Sequence, residues 1–205
     1  MSPIDLSADT GLVAAGFLTA NICIGLLIAM RYSPVRYWPR HRFDIFRIHR
    51  WTGYAGIILV LLHPAILLFV KQPHFRLFDV VIPISSPLQP LWNTIGAAAL
   101  YLLAIVVVSS IMRVRVGRRW WRKLHWLNYP AAAALFLHGI MADPELKGAP
   151  VDYLDGEKVY LEICVLAIAI LALVRWRVHA RKDRLERAQH VGRYAHPAIQ
   201  DRVIG

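Results

Sequence analysis

The chain has 205 residues, 57% of them hydrophobic, and a positive mean hydropathy, which excludes an ordinary water-soluble globule and indicates a membrane protein. A formal net charge of +11 raises nucleic-acid binding as a class, but the Lys and Arg residues stand in short runs between long apolar segments. Such a distribution marks topology, so no nucleic-acid partner is expected. Cys23 and Cys164 each lie inside an apolar run without CxxC spacing, so they read as small core residues and not as a disulfide framework or a zinc site.

In chain order, the opening MSPIDLSADT has no Lys or Arg ahead of the first apolar run, so the charged start of a secretory leader is missing. The first span is therefore expected to stay in place as an anchor. A bilayer core of about 30 Å needs roughly 20 mainly apolar residues in a helix. Five segments of that kind are predicted, near 11–30, 46–70, 92–112, 121–141 and 159–178. They give an all-α polytopic bundle of about five transmembrane helices, embedded in the lipid bilayer.

The connection after span one carries Arg31, Arg36, Arg40, Arg42, Arg47 and Arg50, and the one after span three carries Arg113, Arg115, Arg118, Arg119, Arg122 and Lys123. Span five is followed by Arg175, Arg177, Arg181 and Lys182, whereas the 142–158 connection holds Asp143, Glu145, Asp152, Asp155 and Glu157. Basic flanks stay in the cytoplasm, so the N-terminus is expected outside the cell membrane and the C-terminus inside. The proline-rich apolar connection 71–91 suits the membrane interface, where it caps whatever opens outward. Residues 1–178 form the transmembrane domain on this division. Residues 179–205 form a basic cytoplasmic tail, helical at first, frayed after Gly192, and without a glycine-rich nucleotide loop.

Ionisable side chains within a span are costly and point to function. Span two begins RIHRWTGY and ends LLHP; span four begins KLHWLNYP and ends FLHG. His63 follows His49 by fourteen residues, a rotation of about 1400° on an ideal helix, so the two imidazoles share one face about 21 Å apart in depth. Spans two and four run the same way, which matches His49 with His125 at the inner level and His63 with His138 at the outer level. A haem between two helices takes one axial imidazole from each, so two b-type haems are expected between these spans.

Gly53 and Gly56 on span two and Ala131 to Ala134 on span four offer close approach for the flat macrocycles. Arg50 and Arg122 at the inner ends are candidate propionate partners, with snorkelling as the plain alternative. The thirteen residues from His125 to His138 leave the second ring about 140° off the face of the first on an ideal helix. A distortion between them is therefore expected, with Pro130 as its cause. His74 and Arg76, in the outer connection, read as interfacial residues, with contact to an electron acceptor as the alternative, and His41, His179, His190 and His196 read as solvated ones. Trp51, Trp92, Trp120, Trp121 and Trp126 fit interface belts.

The HRWTGY…LLHP and GRRWWRKLHWLNY…LHG helices resemble the ferric-reductase-like transmembrane domain superfamily, which includes ferric reductases, NADPH oxidases and the haem subunit of the bacterial methionine sulfoxide reductase system. In that family the two haem helices show fourteen- and thirteen-residue histidine spacings, as here, and the resemblance covers about residues 10–178. It implies electron transfer from a cytosolic reduced flavin to the inner haem, then the outer haem, then an external acceptor such as ferric iron, a quinone or a periplasmic redox partner. Family oxidases and reductases usually carry a C-terminal flavin and nicotinamide domain, which is not found after span five here, so the resemblance implies that the flavin, FAD or FMN, comes from a separate flavoprotein reductase or as a free flavin. Two other classes compete: a transporter or proton relay using the four histidines, and a haem-binding scaffold without turnover.

Overall fold

The first helix, α1 (Pro3–Ala29), starts well ahead of the expected span because its first turn is capped. The Ser2 hydroxyl accepts from the Asp5 N–H at 3.2 Å, the Asp5 carboxylate accepts from the Ser2 N–H at 2.7 Å, and Pro3 occupies the first helical position. The structure is a computed structural model that describes residues 2–30, 44–142 and 152–200. The basic run with Arg31, Arg36, Arg40, His41 and Arg42 and the acidic pair Asp143 and Glu145 lie outside the described residues.

Asp44 caps α2 (Ile45–Ile66) by accepting from the Phe46 N–H at 3.0 Å, and the helix, which contains Pro64, passes into a 3₁₀ turn at Leu67–Phe69. The connection that follows contains α3 (Leu77–Val81) and a second 3₁₀ turn, Pro83–Ser85. It is fastened to α4 (Pro90–Ile111): the Asn93 amide donates to Ser86 Oγ at 3.1 Å and to the Leu88 carbonyl at 2.7 Å, and the Tyr101 hydroxyl donates to the Val81 carbonyl. Leu77 and Phe78 face outward while Phe75 is buried, the division expected of a segment lying at an interface.

After α4 come α5 (Arg113–Val116), α6 (Arg118–His125), α7 (Asn128–Met141) and α8 (Gly156–Gln200). Gly117 turns the chain between α5 and α6 at φ 80°, ψ 149°, a region open almost only to glycine. Nothing stands within 4 Å of a Cβ built there, so Gly117→Ala probes backbone strain alone. It is expected to destabilise the protein by about 1–3 kcal/mol, read as a lowered Tm in detergent; an unchanged Tm would show the turn to be unstrained.

Among the described residues, four helical segments are long and apolar enough to cross a membrane: Pro3–Ala29, Ile45–Phe69, Pro90–Ile111 and Gly156–Arg184. Their outer surfaces are apolar too, with Ile58, Ile111 and Trp176 exposed to 61%, 65% and 67%, as in helices whose solvent is lipid. The protein is a membrane protein, all-helical among the described residues. Within it α1 packs against α2 and α8, and α4 packs against α7 and α6. Ala14, Leu18, Val60, Leu103 and Ala131 form a buried apolar layer at mid-depth.

Two expectations change. The predicted span 121–141 is two helices, α6 and α7, joined through Trp126 and Leu127. Bonds of the tighter i→i−3 kind run from Leu127 N–H to Leu124 (3.0 Å) and from Tyr129 N–H to Trp126 (3.1 Å). Pro130 explains the place: it has no N–H for the Trp126 carbonyl four residues back, and its ring crowds that carbonyl. The break therefore falls ahead of the proline, which itself sits harmlessly in the first turn of α7. The tail also differs, since α8 runs unbroken past residue 178 and past Gly192 to Gln200. The segment HARKDRLERAQ is rich in strong helix formers, which carries the helix beyond its apolar part.

Candidate functional site

Four histidines on three helices come together in twos. The rings of His49 on α2 and His125 at the end of α6 have centres 6.3 Å apart at 71°, and those of His63 on α2 and His138 on α7 have centres 6.1 Å apart at 71°. Two imidazoles bound on opposite sides of one metal have ring centres about 6.3 Å apart if each metal–nitrogen bond is about 2 Å. The two pairs thus have matching geometry at two depths. The mid-depth apolar layer draws its residues from between them on each helix.

The orientation of each ring has a visible cause. His63 Nδ1 donates to the Ser7 carbonyl at 2.7 Å and stands 3.2 Å from Ser7 Oγ, while Ser7 Oγ donates to the His63 carbonyl at 2.8 Å. His49 Nδ1 donates to the Asn21 carbonyl at 3.1 Å, and the Asn21 amide donates to the His49 carbonyl and to Thr52 Oγ (2.9 Å). His138 Nδ1 donates to the Trp92 carbonyl at 2.8 Å. A carbonyl only accepts, so Nδ1 carries the hydrogen in these three rings and Nε2 keeps its lone pair. His125 is held differently, stacked on Trp121 at 5.2 Å, and its buried Nδ1 has no hydrogen-bond partner among the described residues.

Each pair borders a cavity. That around His63 and His138 measures about 1090 Å³ with its open mouth, and its wall includes Phe75, Asp79, Pro83 and Ser86 from the connection after α2, which covers it. That around His49 and His125, about 600 Å³, is bordered by Trp121, Arg122, Trp126, Tyr129 and Arg175. Arg175 donates to the Tyr129 hydroxyl at 2.9 Å and lies 5.9 Å from the Trp126 ring. Among the described residues no three or more His, Cys, Asp or Glu side chains gather as a metal site. Bare metal ions ordinarily draw three or four protein ligands, whereas a haem iron takes only one or two, because the macrocycle supplies four nitrogens.

Of the other residues singled out from the sequence, Arg122 borders the smaller cavity, and Arg50 is exposed and does not. Gly53 and Gly56 face α1, at Asn21 and Leu18, and so serve helix packing instead of the space between the histidine helices. Trp121 belongs to the site and not to a surface belt, Trp126 borders the same cavity while remaining exposed, and Trp51 and Trp120 are exposed. Sequence reasoning passed over Ser7, Gly11, Asn21 and Gly25 on α1, Gly96 on α4, and Arg175 with Tyr129. A signal was present: Ser7–Gly11 and Asn21–Gly25 repeat at fourteen residues, the His49–His63 interval.

The sequence model of the family described as ferric reductase like transmembrane component matches residues 10–136, a stretch holding His49, His63 and His125 and stopping two residues short of His138. No curated protein and no solved structure matches.

Proposed function

Because the chain belongs to the ferric reductase-like transmembrane component family, we propose that it is a dihaem b-type cytochrome of the cell membrane. On this proposal it passes electrons from a cytosolic reduced flavin or flavoprotein to an external acceptor such as ferric iron, a quinone or a periplasmic redox partner. The observation that carries it is the pair of matched histidine pairs, with ring centres 6.3 and 6.1 Å apart, each beside its own cavity. Two haems, when bound, supply one-electron carriers at two depths of the bilayer.

His49 and His125 hold the inner haem and His63 and His138 the outer one. Arg122 and Arg175, with the Tyr129 hydroxyl, offer propionate partners at the inner level, while Arg50 serves topology. The basic segments 113–123 and 175–182 orient the C-terminal end of α8 to the cytoplasm. α7, 14 residues and about 21 Å long, makes the remaining crossing, between α4 and α8, with the basic α6 at its inner end.

The test is sidedness. In vesicles with the C-terminal side outward and ferric citrate trapped inside, reduced FMN added outside is expected to reduce the haems and then the trapped iron. A transporter or proton relay would show no haem spectrum, and a scaffold would hold haem that stays reduced; either result would replace the proposal.

A further inference from the structure

α1 contains no histidine, yet it meets both histidine levels in one repeated way. Ser7 and Asn21 stand fourteen residues apart on a helix antiparallel to α2, so they reach His63 and His49 respectively. At each level the α1 residue's backbone carbonyl accepts from the ring Nδ1, and its side chain donates to the backbone carbonyl of that same histidine. Four residues further along α1 stands a glycine at each level. A Cβ on Gly11 would lie 2.9 Å from His63 Nδ1, and one on Gly25 would lie 3.2 Å from His49 Cε1.

The spacing has a physical reason. A helical carbonyl gives one lone pair to the N–H four residues on, and a ring that takes the other must pass over that fourth residue. Only a residue without a Cβ leaves the room. Donation from Nδ1–H to a carbonyl fixes the tautomer with Nε2 free and makes Nε2 more basic, which favours the ferric state of a bound iron. The side-chain bond in return holds α2 at the height that this geometry needs.

We propose that Ser7 and Asn21 are positioning residues through which α1 sets the donor strength of His63 and His49 separately, so that each haem potential is tuned by its own α1 contact; this rests on the dihaem reading above. The two levels are not equivalent. His138 has a second carbonyl, that of Trp92, whereas His125 Nδ1 has no partner among the described residues. Asn21 therefore has the larger share of the tuning at its level.

The experiment is a potentiometric titration of the full-length haem-loaded protein, followed by its visible spectrum. Asn21→Ala is expected to raise one midpoint by about 59 mV, a tenfold relative loss of ferric stabilisation for a one-electron couple, and to leave the other in place. Ser7→Ala is expected to raise the other midpoint by a smaller amount, and Ser7→Thr, which restores the hydroxyl, to return it. If Asn21→Ala fails to assemble, Gly25→Ala presses on the same ring and carries the same expectation. Two unmoved midpoints, or two that move together in each variant, would overturn the role of α1 while leaving the dihaem reading intact. A wild-type protein without a haem spectrum would instead overturn the dihaem reading itself.

Discussion

Protein carrying His63→Ala is expected to purify with one haem per chain instead of two, and so is protein carrying His138→Ala. The double variant is expected to lose no more than either single one, because the pair acts as one site. His49→Ala and His125→Ala are expected to remove the other haem, and combining one change from each pair to remove both. The physical basis is that each pair has only two rings, centred 6.3 or 6.1 Å apart, so deleting one leaves a single axial donor beside an enlarged cavity. Haem quantification of the six proteins checks this. Additive losses within a pair, or any single variant still holding two haems, would show that the pairing is wrong.

Gly96→Ala is expected to have nearly as large an effect from a single methyl group. A Cβ at residue 96 would stand 2.9 Å from His138 Cγ and 3.0 Å from its Cδ2 and Cε1, over the face of a ring already tied to the Trp92 carbonyl at 2.8 Å. The ring cannot retreat without giving up that bond, and α4 cannot retreat without unpacking from α7. Loss of such a supporting contact ordinarily weakens metal binding about 10–100-fold. The expected result is protein depleted in the haem that His63→Ala also removes, with the other retained. Gly11→Ala, 2.9 Å from His63 Nδ1, is expected to act on the same haem from the opposite side, and Gly25→Ala, at 3.2 Å, to retain both. A Gly96→Ala protein with a wild-type spectrum and two tightly held haems would contradict the geometry.

Much of this architecture was legible because it rests on periodicity. The fourteen-residue step from His49 to His63 is close to four helical turns and needs no tertiary information. The thirteen-residue step could not be met by a straight helix, and that misfit indicated the interruption that the structure has at Trp126 and Leu127, four and three residues ahead of Pro130. A proline's effect reaches back to the carbonyl it cannot serve, which is why the break precedes the residue that causes it.

What stayed hidden depends on backbone and on neighbours. A carbonyl acceptor has no residue type, so the bonds from His49 to Asn21 and from His138 to Trp92 left no mark in composition. Gly53 and Gly56, sited on the histidine helix, drew attention away from Gly11, Gly25 and Gly96 on the helices beside it, where the space is needed. Arg175 stood among basic residues that read as topology, and only the fold brings it to Tyr129. The fourteen-residue echo of serine or asparagine with glycine in α1 was the one trace in the sequence that α1 serves both levels.

On the proposed function the chain holds two haems, each between the two histidines of a pair. The most direct measurement is a dithionite-reduced minus oxidised spectrum of the purified full-length protein, with haem counted per chain. Two b-type haems per chain, both lost only when each pair has been broken, is the predicted result. No Soret absorbance, or a haem content that ignores all four histidines, would contradict it.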